Sequence, residues 1–225
     1  MTRPLVFLAL LALFLVPSAS TGEIAEATLI LEASVGVPGT LPAAAPPRFV
    51  LRKDRSVFVG GSEQIYAGLL DNDEVKLIER RVKAVRKAGN LGPSLSFGDD
   101  ATKRYRLRLL KDRPRDVVIT GDPADAPPEL QGLALLISDL LTFDHPSLRP
   151  FTPSEYAVSA REGVLVGGCR EWLLPLSFEE VLAGPQRLAA DERGRWPAGA
   201  DPASVCSEGR HYVVTLRPLL PGEQP

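Results

Sequence analysis

RFVLRKDRSVFV, residues 48–59, and DNDEVKLIERRVKAVRKAG, residues 71–89, decide the reading of this chain. The first stretch is two short runs of apolar and β-favouring residues around Lys53-Asp54-Arg55, a turn cluster, and predicts a β-hairpin. Gly60-Gly61 marks a bend, and Gln64–Leu69 fits another short strand. The second stretch predicts a helix. Asp71 can cap it, Glu74 completes a capping box, and Gly89 suits the position just past the C-terminus. Val75, Ile78, Val82 and Val85 recur at helical spacing and make one apolar stripe.

The pattern then repeats. Tyr105–Leu110 and Asp116–Thr120 read as a second hairpin across Lys111-Asp112-Arg113-Pro114. Pro127 and Pro128 fit a first helical turn, and Leu130, Leu133, Ala134, Ile137, Leu140 and Leu141 follow at helical spacing. Antiparallel strands with one apolar face need cover, and two amphipathic helices supply it. The expected fold is therefore α+β: a two-layer sandwich of mainly antiparallel sheet covered by two helices. The two hairpin–helix units hint at a duplication, but their side chains do not match well enough to claim one.

Outward from this centre the signals are thinner. Ala27–Val35 reads as a strand, and 36–47 as an uncharged proline- and alanine-rich linker. After Pro146, Tyr156–Ala160 fits a strand. Ser177 with Glu180 fits a cap for a short helix closed by Gly184. Gln186–Glu208 reads as irregular, and His211–Arg217 as a final strand ended by Pro218. The expected organisation is a leader over 1–20, a strand and linker over 21–47, and one α+β domain over 48–225. Its last part, from about 150, is an irregular extension pinned by a disulfide.

The leader reading rests on Arg3, the twelve-residue apolar run Leu5–Val16, the helix breaker Pro17, and the small residues Ser18-Ala19-Ser20. As a helix the run reaches about 18 Å, too short for a hydrocarbon core of about 30 Å. Export to the periplasm or exterior is expected, with cleavage after Ser20 and no transmembrane segment left behind. The alternative is a buried N-terminal helix. No cysteine follows the run, which argues against a lipid anchor. In an oxidising compartment Cys169 and Cys206 can pair, closing a loop worth roughly 3–4 kcal/mol in chain entropy. The alternative is two separate buried thiols.

Together these pieces resemble a family of uncharacterised secreted bacterial proteins, best known among actinobacteria. Such chains carry a signal peptide, a hairpin of the kind written here as PRFVLRKDRSVFV, a helix, a second hairpin and a second helix. They add a tryptophan–proline–leucine segment, here Trp172–Leu176 (WLLPL), and end in a strand followed by RPLLP and an acid, here Arg217–Glu223 (RPLLPGE). The likeness spans about Pro46 to Glu223. It implies location and domain extent, and brings no activity with it.

The residues that could do chemistry are few. The chain has 225 residues, two cysteines, two histidines and a net charge of -2, which leaves no four-cysteine zinc site and no bulk attraction to nucleic acid. Gly60-Gly61-Ser62-Glu63-Gln64 lacks the last glycine of a nucleophile elbow. His145 lies in a loop and His211 at a strand end. Asp99-Asp100, Asp122 and Asp125 lack the frame of a calcium loop. There is no phosphate-binding glycine motif. No cofactor or metal is expected.

What remains is basic geometry. Arg104, Arg106 and Arg108 alternate with Tyr105, Leu107 and Leu109, so the arginines share one face of a strand. Lys76, Arg80, Lys83 and Lys87 share the solvent face of the first helix. Trp172 reads as core. Trp196, in a Gly/Pro-rich charged stretch, is a candidate partner anchor. The expected function is a secreted, non-enzymatic module that binds an anionic polymer, an anionic lipid or a protein in the cell envelope through Arg104, Arg106, Arg108 and Trp196. The alternatives are a secreted or periplasmic hydrolase with a dispersed active site, and a structural envelope factor.

Overall fold

A computed structural model describes residues 24–35, 48–60, 64–89, 91–165, 168–196 and 202–225. The leader and the linker fall outside them. In chain order the elements are β1 (Ala27–Val35), β2 (Phe49–Arg52), β3 (Ser56–Gly60), β4 (Ile65–Leu69), α1 (Asn72–Lys87), β5 (Ser94–Phe97), β6 (Lys103–Leu109), β7 (Arg115–Gly121), α2 (Gln131–Leu141), β8 (Arg149–Pro150), β9 (Glu155–Glu162), α3 (Phe178–Ala183), β10 (Gln186–Ala189), β11 (Ala203–Ser207) and β12 (Arg210–Pro218). They form an α+β fold with two mainly antiparallel sheets, ordered β5-β7-β6-β1-β2-β3-β4-β8 and β10-β9-β12-β11.

The local signals at the first helix act as read. Asp71 accepts the Asp73 and Glu74 N–H groups at 2.8 Å, and Glu74 Oε2 accepts the Asp71 N–H at 2.7 Å. These bonds satisfy three donors at an end where the helix itself satisfies none. Gly89 takes φ +80°, the left-handed value its position requires. A short 3-10 turn, Pro128–Leu130, leads into α2. Arg48 ties the two layers together by donating to the Leu141 carbonyl at the end of α2 and to the Gly60 carbonyl. A cation at a helix C-terminus is favoured by the exposed carbonyl dipoles.

Alternation along the strands splits the larger sheet into two faces. Leu29, Leu31, Phe49, Leu51, Val57, Leu107 and Ile119 face α1 and α2 in the main core. Each such fully buried side chain contributes about 1.5–3 kcal/mol. Ile30, Val50, Phe58 and Ile65 face the other way and are covered by Ile24 and Leu220. The face opposite the helices is therefore not simply open: the C-terminal tail lies over its middle.

Three elements differ from the sequence reading. β1 lies inside the larger sheet, between β6 and β2, rather than ahead of it. Ser94–Phe97 adds an unanticipated edge strand, parallel to β7. Gln186–Glu208, read as irregular, carries β10 and β11 and closes a separate core with Val158, Val181, Leu188, Val205 and Val214. Trp196 belongs to that core: it is 4% exposed, with its ring 6.2 Å from Trp172 in an edge-on contact. The expectation of an exposed anchor is corrected accordingly. The 3-10 turn Glu192–Arg195 buries none of its own residues and hands the chain on to the buried indole, with the Arg193 guanidinium 5.1 Å over the Tyr156 ring.

Candidate functional site

Arg104, Arg106 and Arg108 do share the face of β6 away from the helices, but they are not three free charges. Register sets Glu32 opposite Arg106 and Ile30 opposite Arg108 on β1, with Val118 opposite Arg106 on β7. Arg108 donates to Glu32 at 3.0 Å, and its side chain is only 12% exposed. Arg106 grips Asp116 through Nε and Nη2 at 2.7–3.1 Å. The Asp116 carboxylate raises the Arg106 pKa, because it favours the charged guanidinium. Arg104 is exposed. The row is thus largely neutralised within the sheet, which weakens it as an anion-binding surface.

Two of the acids set aside as calcium ligands, Asp100 and Asp122, are likewise engaged locally. Asp122 caps the 3-10 turn Pro123–Asp125 and pairs with Lys103, whose hydrogen bond lowers the Asp122 pKa. Asp100 accepts from Thr102, and this bond lowers its pKa in turn.

A solvent-open concavity lies on the other side, between α1 and α2. One part, of about 480 Å3, is lined by Ala84, Ala88 and Leu91 from the α1 side and by Leu133, Leu135 and Leu136 from α2. A second part, of about 350 Å3, runs past Leu77 and Ile78 to His145. The ion pair Arg81–Asp139 crosses the groove between them. The groove exists because the facing positions are small: Ala84 and Ala88 on one helix, Gly132 on the other. A Cβ on Gly132 would meet nothing within 4 Å. Leu77 (47% exposed) and Leu135 (63%) stand at its lips. Arg80, Lys83 and Lys87 are exposed one step around α1 from Ala84.

At the far end of the groove His145 bridges two polar groups. Its Nδ1 lies 2.7 Å from Ser147 Oγ, and its Nε2 lies 2.7 Å from Glu74 Oε1. The Ser147 N–H also donates to Nδ1, at 3.2 Å, which puts the ring proton on Nε2, facing Glu74. This serine–histidine–acid string went unseen in the sequence because Glu74 comes from α1, 71 residues away. Ser147 Oγ itself accepts the Leu69 N–H at 3.1 Å and would stand only 2.5 Å from a Cβ on Gly68. The hydroxyl is packed against β4.

Cys169 and Cys206 form a disulfide, with their Cα atoms 5.4 Å apart. His211 stands beside it, Nδ1 3.4 Å from each sulfur. No helix among the described residues is long and apolar enough to cross a membrane. No family model, curated protein or solved structure matches this chain.

Proposed function

We propose that this protein is an exported, non-enzymatic binding module of the cell envelope, and that its docking surface is the groove between α1 and α2. The occupant is an amphipathic segment of another protein, with apolar side chains in the groove and acids toward Arg80, Lys83 and Lys87. The observation that carries this reading is the apolar, solvent-open floor between the helices, lipped by exposed Leu77 and Leu135. Exposed leucines beside a preformed groove are the features by which helical segments are read. A polymer or lipid headgroup finds less to hold: the arginine row is compensated, and Glu129 and Asp139 stand on the α2 side. The disulfide agrees with an oxidising compartment.

A photo-crosslinker placed at Leu135 tests it. One discrete protein adduct from envelope extract is expected, lost when Ala84→Arg fills the groove, and absent when the crosslinker is at Arg104. Equal adducts from both faces would refute the groove.

A hydrolase is the second reading, favoured by the Ser147–His145–Glu74 string alone. A fluorophosphonate probe that labels wild type but not Ser147→Ala would support it. Absence of labelling with a loss of thermal stability in Ser147→Ala identifies the string as a latch joining the α2–β8 loop to β4 and α1.

A further inference from the structure

Cys206 and His211 are directly paired across the β11–β12 hairpin. Cys169 arrives from the adjacent segment, where Arg170 bridges Val205 in parallel register. Alternation turns Val205 and Tyr212 into the core and leaves Cys206 and His211 on the outer face. Three potential ligand atoms from three neighbouring backbones thus meet at the surface, all within 4.8 Å of one another.

The spacing of the imidazole from each sulfur is that of a metal site. Tetrahedral zinc holds sulfur at about 2.3 Å and imidazole nitrogen at about 2.0 Å, so neighbouring sulfur and nitrogen ligands lie about 3.5 Å apart. The Nδ1-to-sulfur distances here are both 3.4 Å. Once unbonded, the two sulfurs need only reach about 3.7 Å from each other. Side-chain rotation supplies that with the Cα atoms at their present 5.4 Å.

We propose that Cys169, Cys206 and His211 form a redox-gated site for a thiophilic ion of the zinc class. The disulfide closes the site, and reduction by an external dithiol opens it. One thiolate of the dithiol attacks a protein sulfur and forms a mixed disulfide, which the second thiol resolves. The dithiol gives up two electrons and two protons and becomes a disulfide; the protein gains two thiols. Metal binding then releases both thiol protons. Neutral His211 supplies the third ligand, and water the fourth. A site with two thiolates and one imidazole suits a soft d10 ion better than calcium or magnesium.

The test titrates Co2+, as a coloured stand-in, and then Zn2+ into the full chain before and after reduction with a phosphine. One equivalent should bind only the reduced protein, with a thiolate charge-transfer band and the visible absorption of tetrahedral cobalt. His211→Ala should weaken binding by more than the roughly 10–100-fold that loss of an outer-shell partner costs. Cys169→Ser and Cys206→Ser should each diminish the charge-transfer band. Tryptophan emission, followed in the same titration, should be native at saturation. Absence of the band in the reduced protein, equal affinity of wild type and His211→Ala, or an unfolded emission spectrum at saturation would each overturn the site.

Discussion

Arg217 and Glu223, six residues apart, form an ion pair at 2.5 Å whose side chains are 5% and 0% exposed. The pair closes the RPLLPGE tail into a loop, with the Leu220 N–H donating to the second Glu223 oxygen at 2.9 Å. Leu220 is thereby held on the sheet face beside Ile30, Val50 and Phe58. Burial pushes the Glu223 pKa up, outweighing the opposing pull of Arg217.

Breaking this pair should loosen the tail. Arg217→Met leaves a buried carboxyl without its partner and should cost about 3–5 kcal/mol in denaturant unfolding. The pH dependence has a definite sign. A carboxyl that binds its proton more tightly when folded stabilises the protein below its ordinary value of 4.5, and that contribution is lost as pH rises through the raised folded value. Glu223→Gln should remove this fall, measured as the difference between the two stability–pH curves. Parallel curves would show that Glu223 is not perturbed.

The arginine row should divide by position. Arg108→Gln removes one of the partners of Glu32 in a partly buried setting and should cost about 1–3 kcal/mol. Arg104→Gln, on an exposed side chain, should change stability by less than about 0.5 kcal/mol. Equal effects in urea titrations would count against the assigned pairing.

Two glycines should respond with opposite signs. A Cβ on Gly121, at φ +111°, would lie 1.8 Å from the Phe97 carbonyl oxygen, so Gly121→Ala should detach β5 and lower Tm. Gly132→Ala meets nothing and should raise stability by about 0.4–1 kcal/mol by restricting the unfolded chain. It should also partly fill the groove and weaken any adduct formed at Leu135.

Reduction should be felt unevenly. Trp172 and Trp196, the only tryptophans, both pack in the smaller sheet's core, much of which lies in the loop that the disulfide closes. Metal-free reduction should therefore shift the tryptophan emission midpoint in denaturant by more than the far-UV circular dichroism midpoint, since α1 and α2 cover the other sheet. Coincident shifts would mean that the two cores unfold as one.

What could be read along the chain was whatever is settled within a few residues. The Asp71–Glu74 capping box, the turn at Lys53–Arg55, the Ser177 cap and the alternation of Arg104, Arg106 and Arg108 are contacts or periodicities of the local backbone, and each stands in the structure. The α+β class followed because two amphipathic helices and two hairpins have few ways to bury their apolar faces. Tertiary structure alone decided which distant groups meet. Glu32 reaches Arg108 across 76 residues, Glu74 reaches His145 across 71, and Cys169 reaches His211 across 42. β1 could be recognised as a strand, but its place between β6 and β2 depends on a register that no neighbouring residue specifies. Trp196 looked exposed because its flanks are polar; its burial depends on packing in a core with Val158, Leu174 and Val214, none of which is a neighbour in sequence. Local patterns report the energy of one element. Pairing partners, covered faces and the groups that share a site depend on contacts whose sequence separation carries no local signal.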